Sequence, residues 1–167
     1  MKINRKQVQI PFWTLFTCII LSCQPQQEKE TTETSANENP AGIFPLGNLG
    51  PAENFTGKAY NYGLVPSDSS LTTLVGNVYF EPGARSNWHS HPAGQILLIT
   101  DGEGFHQIEG QPKEILKKGS VAICPPKVRH WHGASPEKGL QQLYIVPNNE
   151  KGIVDWQEAV TDSIYSN

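Results

Sequence analysis

The chain has 167 residues, enough for one domain and short for two. With 15 Gly, 13 Pro and only 17% charged residues it suits a turn-rich β domain better than a helical one. A formal net charge of −3, with Lys and Arg scattered, excludes a basic nucleic-acid-binding surface.

The N-terminus reads as a targeting segment and is set apart from the fold. Lys2, Arg5 and Lys6 precede an apolar run from Val8 to Leu21, which is too short to span a bilayer comfortably. The run closes on Ile20-Leu21-Ser22-Cys23, which resembles the lipobox of a bacterial lipoprotein. Cys18 fits less well, because bulky Phe16 stands two residues before it. The resemblance implies removal of residues 1–22, a lipid on Cys23, and a domain tethered to a membrane on its periplasmic or cell-surface side. Three of the 13 basic residues and none of the 16 acidic ones lie in residues 1–22, so the remainder carries a formal −6. Cys124 is then the last free thiol and no intrachain disulfide is available. Residues 24–40, QPQQEKETTETSANENP, have almost nothing to bury, and residues 23–50 are expected to form a disordered tether.

The domain itself is expected over residues 51–167. From Phe55 onward short apolar runs alternate with turn signals: Leu71–Phe80, Gln95–Thr100, Phe105–Glu109, Glu114–Leu116, Val121–Cys124 and Leu140–Val146. Pro82-Gly83, Asp101-Gly102, Glu109-Gly110 and Lys118-Gly119 supply the expected turns. Many short strands so punctuated predict an all-β sandwich or barrel. A helix is expected only over Asp155–Tyr165, where Trp156, Val160 and Ile164 are spaced to share one face.

Two blocks carry the chemistry. In GARSNWHSHPAGQILLITDG (83–102), His89 and His91 flank Ser90, and Gln95 follows after a short turn. In GSVAICPPKVRHWH (119–132), His130 lies five residues beyond Pro125. Alternate side chains on a strand share a face, so His89 and His91 can converge on one ion. Gln95 can add an amide oxygen, and His130 must close the cage from another strand. Imidazole suits zinc, copper, iron and nickel and oxygen ligands suit manganese, so such an N/O donor set disfavours Cu(I) and iron–sulfur clusters; one divalent ion is expected, manganese first, with iron, zinc, nickel or cobalt as alternatives. His132, two residues after His130, should face the same interior, as a general acid/base or as a hydrogen-bond partner of a ligand; we take it as the former. Trp88 and Trp131 alternate with these residues and should pack on the opposite face. His106 lies outside both blocks and reads as an ordinary hairpin residue, and Cys124 as an inert buried thiol.

In spacing and residue type the two blocks resemble the two cupin motifs. That resemblance implies a small jelly-roll β-barrel holding one divalent metal on His89, His91, Gln95 and His130, and assembly as a homodimer or higher homo-oligomer. The usual motifs carry Glu where this chain has Gln95, and Gly where it has Lys127. A closer resemblance covers roughly residues 53–165. FEPGARSNWHSHPAGQ, CPPKVRHWHGA and VDWQEAVTD are similar to the bacterial manganese-dependent hydroxynitrile lyases and the carboxymuconolactone-decarboxylase-like cupins, and the hydroxynitrile lyases also carry Gln at the fourth ligand. It implies manganese as the metal and a lyase acting on a small oxygen-bearing molecule. It also implies a pocket near Gly76 and Val78, with Gln142 where that group carries a further His. Gln in place of Glu leaves the ion a full formal charge of two and favours Lewis-acid chemistry. An iron-dependent dioxygenase and a non-catalytic small-ligand-binding cupin are the alternatives. Of the targeting segment, we expect Cys23→Ala to abolish incorporation of labelled fatty acid and to remove the mature protein from the membrane fraction. A lipidated, membrane-bound Cys23→Ala protein would refute the lipobox assignment.

Overall fold

The computed structural model describes residues 42–167 apart from 67 and 69. The expected signal segment, Cys23 and most of the tether therefore lie outside the described residues. Among the described residues twelve strands form one hydrogen-bonded sheet, antiparallel at every pairing, that curls around an apolar interior. Two short strands open the described chain, β1 (Asn48–Leu49) and β2 (Phe55–Thr56). Because β1 pairs with Asn61 and Tyr60, ordered structure begins ahead of residue 51. Strand β3 (Ala59–Val65) precedes β4 (Thr73–Phe80); its Gly and mixed polarity leave no apolar run, so it was not among the expected strands. The short β5 (Arg85–Ser86) and β6 (His89–Ser90) carry the first block.

Strand β7 (Gln95–Ile108) runs for 14 residues through what was expected to be a turn at Asp101-Gly102. Its first half pairs with β11 (Leu140–Pro147) and β9 (Val121–Cys124). Its second half pairs with β10 (His130–Ala134) and β8 (Glu114–Lys117). At the junction the partner register jumps from Gln142↔Ile99 to Gln141↔Asp101, which leaves Thr100 as the extra residue of a bulge. The strand bends there instead of reversing. Gly102 has φ +80°, and a Cβ on it would strike the Gly139 carbonyl, so only glycine fits the bend. Pro82-Gly83, Glu109-Gly110 and Lys118-Gly119 do turn the chain.

Inward-facing side chains of alternating residues fill the barrel, with Phe80, Leu97, Ile99, Leu116 and Leu140 at most 4% exposed. A second cluster, Trp88, Trp131, Val160 and Tyr165, lies apart from the first, so both motif tryptophans are packing residues as expected. The C-terminal segment covers that cluster but is not the helix expected over 155–165. Strand β12 (Asp155–Trp156) pairs with β6, Trp156 opposite His89, and only α1 (Asp162–Ser166) is helical, capped by the Thr161 hydroxyl. The free edge of β6 draws Trp156 into the sheet, and this tertiary pairing overrides the local periodicity. Val160 and Ile164 keep their shared face; Trp156 leaves it.

Arg85, 5% exposed, fixes this segment: its guanidinium donates to the Val160 carbonyl and Asp162 and lies over the Tyr165 ring. Strands β10 and β5 meet so closely that a Cβ on Gly133 would lie 2.5 Å from the Ala84 carbonyl oxygen and 2.6 Å from Arg85 Cα. Gly133→Ala must therefore push backbone apart. We expect a loss of about 1–3 kcal/mol, seen as a lower denaturation midpoint with an unchanged slope.

Candidate metal centre and pocket

Strand pairing creates the site. His130 on β10 stands directly opposite His89 on β6, so both imidazoles leave the same face of the sheet, with ring centroids 4.3 Å apart. After β6 the chain makes a tight turn in which Gly94 N–H donates to the His91 carbonyl, and Gln95 opens β7. The His91 ring lies 5.2 Å from that of His89 and 5.5 Å from that of His130. Lys127, which stands where the motif usually has Gly, has φ +61°, the left-handed conformation that glycine adopts freely. Its N–H donates to the same His91 carbonyl and ties the two blocks together. Thus His89, His91, Gln95 and His130 converge as expected, and all are at most 6% exposed.

The imidazole tautomers follow from their partners. Nδ1 of His89 contacts the Asn87 carbonyl at 2.9 Å, Nδ1 of His91 the Ile153 carbonyl at 2.5 Å, and Nδ1 of His130 the Val128 carbonyl at 3.0 Å. A carbonyl oxygen only accepts, so each Nδ1 carries hydrogen and each neutral ring keeps its lone pair on Nε2. His91 Nε2 is buried with no protein partner. His130 Nε2 faces Gln95 Oε1 at 3.3 Å, one lone pair against another. A cation between them removes that repulsion, and this donor set fits a divalent ion held by nitrogen and oxygen. Backbone carbonyls orienting the far nitrogen are the usual support of a ligating imidazole.

Burial, the largest cause, holds the ionisation of all four histidines below the ordinary range. His91 is lowered; His89 and His132 fall well below, with the neighbouring His130 adding to burial at His89 and with His89 and His130 adding to it at His132; His130 drops to about 3. The rings are neutral at pH 7, as metal binding requires.

His132 also sits in this group. Ligand atoms of His89, His130 and His132 lie within 4.8 Å of one another, so three histidines could hold a metal ion. Its tautomer differs, however. Gln142 Nε2 lies 3.0 Å from His132 Nδ1 and donates to it, which places the His132 hydrogen on Nε2. As placed, the amide leaves its oxygen and one N–H without a protein partner, whereas reversed it would leave both N–H donors without one, the costlier arrangement. His132 therefore presents a donor where the other three present a lone pair.

A cavity of about 170 Å³ opens onto these groups. Its polar end holds His89, His91, Gln95, His132 and Gln142, and Val78, Phe80 and Val146 line it further along. Val78 and Gln142 were expected there. Gly76 is not on its wall: a Cβ at Gly76 would meet the Tyr144 ring, and Tyr144 lines the cavity in its place. Three contributors escaped the sequence reading. Trp156 forms part of the wall, 4.9 Å from the His89 ring and 5.5 Å from Phe55. Ile153 supplies both wall and the carbonyl that orients His91. His106 is no ordinary hairpin residue: 1% exposed and 5.7 Å from the His130 ring, it bridges Glu114 (3.0 Å) and Cys124 Sγ (3.3 Å). No local sequence signal marked it; its pairing opposite His132 in the sheet places it there. Burial pushes the Cys124 thiol up to about 12, which keeps it inert as expected.

Residues 76–146 match the family model described as "Cupin domain". An (R)-mandelonitrile lyase from Granulicella tundricola is 40% identical over 116 residues, 70% of this chain and 88% of the relative. The chain is a cupin. Among solved structures, a cupin-like protein from Thermotoga maritima superimposes with a TM-score of 0.72 at 45% identity, covering 74% of this chain and 93% of that one. A 3-hydroxyanthranilate 3,4-dioxygenase from Burkholderia cenocepacia is 30% identical over 96 residues, 56% of this cupin and 51% of the dioxygenase. The jelly-roll barrel and the likeness to hydroxynitrile lyases expected from the motifs thus hold.

Protonation should govern the stability of the metal-free cupin. His89, His91, His130 and His132 have folded values below the unfolded value of about 6.5. The unfolded chain therefore binds more protons as pH falls below that value. Stability is retained above about pH 6.5 and lost towards acid, by about 1.4 kcal/mol per pH unit for each excess proton. Thermal melts of chelator-treated protein between pH 7.5 and 4.5 should show this fall, and a flat profile would contradict it.

Proposed function

We propose that this cupin is a metal-dependent lyase acting on a small oxygen-bearing organic molecule, in the manner of a hydroxynitrile lyase. His89, His91, Gln95 and His130 would hold one divalent ion, manganese by preference. The observation that carries the reading is the convergence of imidazole and amide lone pairs beside a small, largely apolar cavity lined by His89, His91 and Gln95. The relation to an (R)-mandelonitrile lyase supports the reaction class. When bound, a divalent ion supplies Lewis acidity towards a substrate oxygen.

The chain's own residues do the rest. Val78, Phe80 and Val146 exclude water from the reacting carbon's side and accept a hydrophobic substituent. The size suits a compact substrate, since a protein cavity of ~150 Å³ accepts benzene. His132 holds a hydrogen on Nε2 and stays neutral, so its part narrows from general acid/base to hydrogen-bond donor at the oxygen that gains charge, a role that neutral imidazole performs in known active sites. In cyanohydrin cleavage the hydroxyl loses its proton, the carbon–carbon bond breaks with its electron pair leaving on cyanide, and cyanide takes up one proton in exchange, so the products are an aldehyde and hydrogen cyanide. No dioxygen enters that balance.

The test is release of benzaldehyde from mandelonitrile by manganese-loaded protein, in air and under anaerobic conditions. We expect equal rates in both. His132→Ala should lower kcat by about 10²–10³ with metal content unchanged, and His132→Gln, which retains an N–H donor, should recover part of that loss. The relation to dioxygenases favours a second reading as an iron-dependent dioxygenase. Substrate-dependent oxygen consumption, with turnover lost under anaerobic conditions, would establish that reading instead. Tight ligand binding with no turnover in either condition would indicate a binding cupin.

A further inference from the structure

Gln142 is fully buried in the middle of β11, opposite Val78 and Ile99, whose side chains face the interior. Its amide is half used. Nε2 is committed to His132 Nδ1, whereas Oε1 is buried, has no protein partner, and belongs to a residue that lines the cavity. An unpaired buried oxygen costs stability, and an apolar side chain of similar shape would avoid that cost. Nearby polar wall groups do not use this oxygen: Asn61 pairs with Tyr144, and Gln95 faces His130. Gln142 and His132, joined by that bond, together offer one acceptor, Oε1, and one donor, Nε2.

We infer that Gln142 is a specificity-determining residue, whose Oε1 accepts a hydrogen bond from a hydroxyl or amine of the substrate. The cupin therefore selects molecules whose O–H or N–H donates to Gln142 Oε1 while an oxygen, that of the same hydroxyl or a neighbouring one, accepts from His132 Nε2. A substrate lacking the donor leaves Oε1 unpaired and binds more weakly, which is how sites built on buried polar groups reject near-isosteres. The Gln142 Nε2 contributes differently, because by donating to Nδ1 it holds the hydrogen of His132 towards the substrate. The inference rests on reading the cavity as the substrate pocket, but not on the reaction performed there.

Binding of benzyl alcohol and benzyl methyl ether to manganese-loaded protein, measured by calorimetry, tests it. The wild type should prefer the alcohol by about tenfold or more, and Gln142→Met should reduce the ratio of the two affinities by a similar factor. Imidazole ¹⁵N shifts of His132 should report hydrogen on Nε2 in the wild type and loss of that preference in the variant, an effect that a merely space-filling Gln142 would not produce. Should Gln142→Met fail to fold, Gln142→Leu takes its place, and the wild-type comparison alone remains decisive. Equal affinities in the wild type, binding of neither compound, or a ratio unchanged by the substitution would each overturn the inference. Protein that prefers the alcohol yet cleaves no cyanohydrin would count against the lyase and leave the role of Gln142 standing.

Discussion

Three backbone carbonyls, those of Asn87, Val128 and Ile153, determine the chemistry of this barrel. Each takes the Nδ1 hydrogen of one imidazole and so turns its lone pair inward. Without them the rings could adopt either tautomer, and a wall of mixed donors and acceptors would hold no cation well. Burial enforces the arrangement, because the cost of a charged ring in the interior keeps the histidines neutral. Closely packed neutral lone pairs are a poor structural solution and a good coordination sphere. The tension between those two facts separates this part of the interior from the aliphatic core beneath it.

His132 illustrates how little separates a ligand from its neighbour. It sits on the same strand as His130 and the same face, with its ring nearly parallel to that of His130. Only the partner of Nδ1 differs, a side-chain amide in place of a carbonyl. An amide can donate where a carbonyl cannot, and the hydrogen moves to the other nitrogen. Gln142 therefore acts on the centre through a ring that it does not replace.

The sequence made the ligand blocks legible because their information is local. Strand alternation puts His89 and His91 together, and a short turn adds Gln95. The same parity placed Trp88 and Trp131 on the opposite face, where they pack. What stayed hidden depends on pairing between distant segments. Trp156 looked like one position of a helical stripe until β6 offered it an edge. His106 revealed its place only through the register of β7 against β10. The Asp101-Gly102 pair carries a turn signal, yet a glycine that reverses a hairpin and one that bends a continuous strand leave the same trace in sequence. Gly76 sits on the expected strand but has no side chain to present, so the wall there is built by the Tyr144 ring that its absence admits.

The bond between His91 and Ile153 spans 62 residues and reaches almost to the end of the chain. The same C-terminal stretch supplies the edge strand beside His89 and the latch onto Arg85. A ribosome making this protein therefore releases both histidine blocks well before the carbonyl that orients His91. The nascent chain carries the histidines before the carbonyl that fixes the tautomer of His91, so the donor set is complete only once residue 153 has been made. Any copy truncated before Ile153 would carry His91 without the carbonyl that aims it.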